Sequence, residues 1–130
     1  MRCLLDTHIL LWSLLEPDRL SSQVRQVLDD PGNELWLSPI SLWEITILAA
    51  KGRLQIESQD INAWLREVMS RTPLREAPLT FEVALTSRTI DVSHQDPADR
   101  FIAATAQVYD LALVTVDQRL LQCGQVQTLS

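Results

Sequence analysis

The chain opens with a short apolar run, Cys3-Leu4-Leu5, that stops on Asp6. A strand is predicted over 2–5. Apolar residues resume at Ile9, and their spacing predicts a helix over 7–15, ended by Pro17. A second helix is predicted over 21–28, with Ser21 or Ser22 as its cap and Val24, Val27 and Leu28 on one face. Pro31-Gly32-Asn33 signals a turn, and Glu34-Leu35-Trp36-Leu37 reads as the next strand. The clearest helix lies within 38–54. Ser38 can cap it, Pro39 suits its first position, and Gly52 marks its end. Ile40, Trp43, Ile47 and Ala50 are expected to form its apolar stripe.

Residues 60–69 give another capped helix, with Ile61, Trp64, Leu65 and Val68 along one face. A short strand is predicted within 73–79. A helix then runs from Thr80 to about Arg88, with Phe81, Ala84 and Leu85 as its expected apolar face. Residues 91–95 read as loop, and a helix starting between 96 and 99 continues to Tyr109. Residues 111–117 form a second apolar strand that ends on a carboxylate, Asp117. A short helix or turn at 119–121 and a last strand within 126–129 complete the order. Strands alternating with helices predict an α/β fold, a mostly parallel sheet flanked by helices. A helix pair is inserted between 38 and 70. With no repeat or linker, the pattern predicts a single domain over 1–130.

Composition narrows the class. Apolar residues make up 46%, enough for a core without disulfides or a structural metal. Cys3 and Cys123 are isolated thiols without metal-type spacing and are expected to be reduced, as in a cytoplasmic protein. The apolar start resembles a secretion signal only superficially, because Asp6 and His8 interrupt it and Glu16-Pro17-Asp18 stands where a cleavage site belongs. No run approaches the ~18 apolar residues of a membrane span, so no membrane contact is expected. The net charge of −6 argues against a broad nucleic-acid surface. That argument weakens if carboxylates gather around a cation: four set aside leave −2. Ten of the eleven basic residues are Arg, which suits forked phosphate contacts.

The candidate chemistry lies in acids that break apolar sequence. Asp6 and Asp117 each follow a predicted strand, and in parallel sheets ligands sit beyond strand carboxyl ends. Either could instead cap the next helix. Glu44 lies among apolar residues with Ser41 three positions earlier on the same face, which also reads as the wet side of that helix. In His94-Gln95-Asp96-Pro97-Ala98-Asp99-Arg100, Asp96 reads as an N-cap and Asp99 falls near the third helical position. Ala103, Ala104 and Ala106 allow this helix close against a sheet. Carboxylates about 5 Å apart repel by roughly 3 kcal/mol per pair at an effective dielectric near 20. A cluster must therefore take up protons or bind a hard divalent cation. No spacing suggests zinc, and His8 and His94 read as polar accessories.

In order, Leu4-Leu5-Asp6-Thr7-His8, Ser41-Leu42-Trp43-Glu44-Ile45, Asp96–Ala106 and Leu113-Val114-Thr115-Val116-Asp117 resemble the PIN-domain family, of the VapC toxin type. The resemblance spans nearly the whole chain. It implies a PIN-like parallel sheet of about five strands, and a ribonuclease dependent on Mg²⁺ or Mn²⁺. It implies Asp6, Glu44, Asp99 and Asp117 as the catalytic, metal-binding acids, with Thr7, Ser41, Asp96 and Thr115 in support. It further implies an RNA substrate, a cognate antitoxin and a homodimer. Arg100 and Arg119 are expected substrate-phosphate contacts. The alternative is a catalytically silent PIN-like scaffold that binds RNA or a partner. A receiver domain fits poorly, since Lys51 is misplaced and strand one lacks adjacent acids. A haloacid dehalogenase-type phosphatase would need Asp where His8 stands.

Overall fold

The fold was analysed as a computed structural model, which describes residues 1–56, 59–93 and 95–130. Five strands form one wholly parallel sheet: β1 (Arg2–Leu5), β2 (Glu34–Leu37), β3 (Leu74–Glu76), β4 (Ala112–Val114) and β5 (Thr128–Leu129). Their order is β3-β2-β1-β4-β5. The chain builds outward from β1 through β2 to β3, then crosses to the other side for β4 and β5. The reversal falls between β1 and β4, and open parallel sheets bind ligands in the crevice at such a point.

Helices α1 (Thr7–Leu15), α2 (Ser22–Asp29), α3 (Pro39–Ala50) and α4 (Ile61–Arg71) precede β3, and α5 (Phe81–Thr89) and α6 (Pro97–Tyr109) precede β4. A one-turn α7 (Gln118–Leu121) separates β4 from β5. Alternation along β1 sends Cys3 and Leu5 to one face and Leu4 to the other. The first face packs with Ile9 and Leu10 of α1, Ile45 of α3 and Leu65 of α4. The second packs with Ile102, Ala103 and Ala106 of α6 and Leu120 of α7. The small side chains of α6 let its backbone approach the sheet, which brings the start of the helix to the strand ends. Both cysteines are free and buried, one in each core layer, so a disulfide between them is excluded. Among the described residues, no helix is long and apolar enough to cross a membrane.

Two predicted faces are corrected. On α3 the fully buried positions are Ser41 and Ile45, and Trp43 is half exposed. The helix is apolar nearly all round, so periodicity alone could not choose its inner side. Contact between Ser41 and α1 does. On α5 the buried residues are Val83 and Ser87, while Phe81 is 91% and Leu85 69% exposed. The orientation of α5 is set by Arg100 of α6. Its guanidinium donates to the carbonyls of Ser87 (2.9 Å), Ile90 (3.0 Å), Arg88 (3.1 Å) and Val92 (3.3 Å). The bonds to Ser87, Arg88 and Ile90 satisfy carbonyls that the end of α5 leaves without helical partners, and the bond to Val92 holds the chain just beyond it. The strands at 111–117 and 126–129 are also shorter than predicted, three and two residues. After Val114 the chain leaves the sheet so that Asp117 can cap α7.

Candidate active site at the carboxyl end of the sheet

In the β1–β4 register Leu5 pairs with Val114. The next residue of each strand, Asp6 and Thr115, therefore meets the other just beyond the sheet. Thr115 Oγ1 donates to Asp6 Oδ2 at 2.7 Å and accepts from the Asp117 amide at 3.1 Å. One hydroxyl thus ties the two strand-end acids together. Asp6 Oδ1 accepts from the Thr7 amide at 2.8 Å, so Asp6 also caps α1. The capping and site readings of Asp6 are the same geometry. Asp6 is only 6% exposed, and burial pushes its carboxyl above the ordinary range, against the Thr115 and Thr7 bonds and the nearby His8.

Glu44 reaches the site from α3. Thr7 Oγ1 lies 2.6 Å from Glu44 Oε1 and 2.9 Å from Ser41 Oγ. A hydroxyl has one proton. Thr7 gives it to the carboxylate, so Ser41 donates to Thr7. This buried chain, Ser41 to Thr7 to Glu44, fixes the carboxylate against the start of α1. Burial raises the Glu44 carboxyl; the Thr7 bond lowers it, and Asp6 and Asp96 raise it further.

Asp96 accepts from the Ala98 amide at 3.0 Å and caps α6. Asp99 follows in the first turn and is buried. Its carboxyl is raised to about 7, first by burial and then by Asp6, Asp96, Asp117 and Glu44. Four acids thus act on one side chain. Asp6, Glu44, Asp96, Asp99 and Asp117 line one cleft of about 310 Å³, with His8, Trp12 and Arg119 beside them.

These acids are distant in sequence and share one cleft. All are hard oxygen donors, the set that suits Mg²⁺ or Mn²⁺. Among the described residues, no three His, Cys, Asp or Glu side chains are already gathered closely enough to hold an ion together. Mutual repulsion favours such spacing, and carboxylate rotation is what a cation would draw from them. The donor chemistry and the elevated Asp99 carboxyl both fit a divalent cation.

The accessory positions divide. Thr7, Ser41 and Thr115 hold the acids by hydrogen bonds, and Asp96 both caps and lines the cleft. Arg119 lines it too, with Nε 3.4 Å and amide 2.9 Å from Asp117 Oδ1. Arg100, expected to contact substrate phosphate, donates instead to four carbonyls at and just beyond the end of α5. His94 lies outside the described residues. Sequence reading missed Trp12 at the cleft. Its signal was the four-residue spacing from His8, which puts both on one face of α1.

A PIN-domain family model matches residues 3–124, and the chain belongs to that family. The chain is 36% identical over 118 residues to Ribonuclease VapC22 of Mycobacterium tuberculosis, across 90% of this chain and 88% of that protein. It is similar in fold to VapBC2 of Rickettsia felis, solved bound to a promoter DNA fragment, with TM-score 0.74 and 15% identity over 99% of this chain and 98% of that one. VapBC-1 of nontypeable Haemophilus influenzae gives TM-score 0.67 and 21% identity over 100% and 98%.

Proposed function

We propose that this chain is a divalent-metal-dependent endoribonuclease, the toxin of a toxin–antitoxin pair, acting in the cytoplasm. The observation that carries this reading is the convergence of Asp6, Glu44, Asp96, Asp99 and Asp117 on one cleft at the sheet's carboxyl end. The similar protein Ribonuclease VapC22 supports RNA as the substrate. A similar solved structure described as a toxin–antitoxin complex, at 20% identity and TM-score 0.63, is in keeping with an antitoxin partner. The reading includes a homodimer, for which Phe81 and Leu85 offer exposed apolar surface on α5.

In this reading Asp6, Glu44, Asp99 and Asp117 would hold Mg²⁺ or Mn²⁺, which supplies polarisation of a phosphoryl oxygen and acidification of a bound water. Thr115 keeps Asp6 and Asp117 side by side, and the Ser41–Thr7 chain holds Glu44 on the same cleft. Arg119 stands at the rim with Asp117, where a guanidinium can approach a phosphodiester. The test is cleavage of RNA by purified protein with and without Mn²⁺, repeated with Asp6→Asn, together with expression of the chain alone and with its genomic neighbour. Metal-dependent cleavage lost in the variant, and growth arrest relieved by the neighbour, are the expected results. Folded wild-type protein that cuts no RNA with Mn²⁺ would overturn the reading.

A further inference from the structure

His8 and Trp12 line the acid cleft, and both also line an adjoining cavity of about 330 Å³. The two spaces therefore adjoin at these two side chains of α1. Their rings lie 6.1 Å apart with planes at 58°. The Arg19 guanidinium lies over the Trp12 ring, 4.3 Å from its centroid. Exposed Arg53, just beyond α3, borders the same cavity, and leucines of α1 and α3 form its floor. Its one acid, Glu16, is paired with Arg19 at 3.1 Å.

The character of the surface thus changes within a few ångströms. On one side of His8 and Trp12 stand five carboxylates. On the other stand two arginines, Arg19 stacked on the Trp12 ring and paired with Glu16, and Arg53. A polyanion threading the acid cleft needs positive groups for the phosphates on either side of the one at the metal. Unpaired bases stack on aromatic rings and guanidinium planes, whereas a duplex conceals those faces. Two cations and a stacked ring beside the acids favour a nucleotide over a protein segment.

We propose that this second cavity seats one nucleotide of single-stranded RNA next to the scissile phosphate, its base against the Trp12–Arg19 stack and its phosphate toward Arg53. The assignment rests on the nuclease reading and adds a subsite, built by Trp12, Arg19 and Arg53, for the nucleotide beside the scissile phosphate.

The test compares two substrates in the Mn²⁺-loaded protein: a short unstructured RNA oligonucleotide, and bis(4-nitrophenyl) phosphate, a diester too small to span both cavities. Trp12→Leu and Arg53→Glu are each compared with wild type, with folding checked by circular dichroism. Arg53 is exposed, so its variant keeps the test informative if Trp12→Leu unfolds. The expected result is that kcat/KM for the oligonucleotide falls at least about tenfold further than for the small diester, mainly through KM, as loss of a stacked base or phosphate contact gives. Annealing the oligonucleotide to its complement should remove that difference. Variants that cut the oligonucleotide like wild type, or slow both substrates equally, overturn the subsite while leaving the nuclease reading intact. Wild-type protein that cuts neither substrate overturns both.

Discussion

At the carboxyl end of the sheet, Asp6 and Asp99 are ionisable groups held away from water; on α5, Phe81 and Leu85 are apolar groups held in it. Both regions depart from the usual sorting of residues by solvation. At the sheet end the departure is built in by hydrogen bonds from Thr7 and Thr115 and by the close approach of α6. On α5 no such scaffold exists, and the aromatic ring projects because Arg100 turns the other side of the helix inward. A buried acid marks chemistry that the fold must actively support. An exposed phenyl ring marks surface that costs the isolated chain little.

Substitutions at the acids should have the largest effects. Asp6→Asn should lower kcat for Mn²⁺-dependent RNA cleavage by about 10²–10³, the loss typical when one group supporting transition-state charge is removed. Cleavage at the wild-type rate would break the comparison, leaving Asp6 as nothing more than a cap.

Stability should follow the raised Asp99 carboxyl. Its folded value, about 7, lies above the unfolded value of 3.8, so the unfolded chain gives up the proton first as pH rises. The resulting stabilisation is complete below about pH 4 and is lost as pH rises through about 7. Protein treated with EDTA should therefore melt higher near pH 5 than near pH 8. Asp99→Asn should flatten that dependence and melt above wild type near pH 8. Mn²⁺ should raise the melting temperature of wild type there more than that of the variant, because a ligand stabilises the state it binds. A wild-type melting temperature insensitive to pH and Mn²⁺ would count against a strained acid cluster.

Arg100→Gln should cost about 1–3 kcal/mol in urea unfolding, since several buried carbonyls lose a donor. Arg100→Lys should recover only part of this, because an ammonium group cannot reproduce the planar fork. The smallest change in monomer stability is expected from Phe81→Ser combined with Leu85→Ser, within about 0.5 kcal/mol per site. That pair should leave RNA cleavage intact and reduce self-association in sedimentation velocity. A large loss of monomer stability would instead show that the α5 face is packed.

Much of this organisation was legible in the chain. The strand over 2–5, the Ser38 cap with Pro39 behind it, and the alanines of α6 are local signals, and they produce local structure. Asp6, Glu44 and Asp117 stood out as acids breaking apolar sequence, Asp99 by its place three residues after the Asp96 cap, and the family resemblance grouped the four; the structure brings them to one cleft. The inner faces of α3 and α5 could not be read, because each depends on a distant partner. Ser41 is drawn in by Thr7, and Ser87 by Arg100. The role of Arg100 was hidden for the same reason: an Arg beside two acids looks like an ion-pair or phosphate residue until the carbonyls around it are known. Trp12 counted as apolar sequence, and only the adjoining cavities set it at the edge of the cleft.

The bond between Thr115 and Asp6 spans 109 residues. During synthesis Asp6 is made first, and a growing chain that has not yet added β4 possesses neither Thr115 nor Asp117. If these acids do cut RNA, an unfinished polypeptide is harmless to the messenger and ribosome that are producing it.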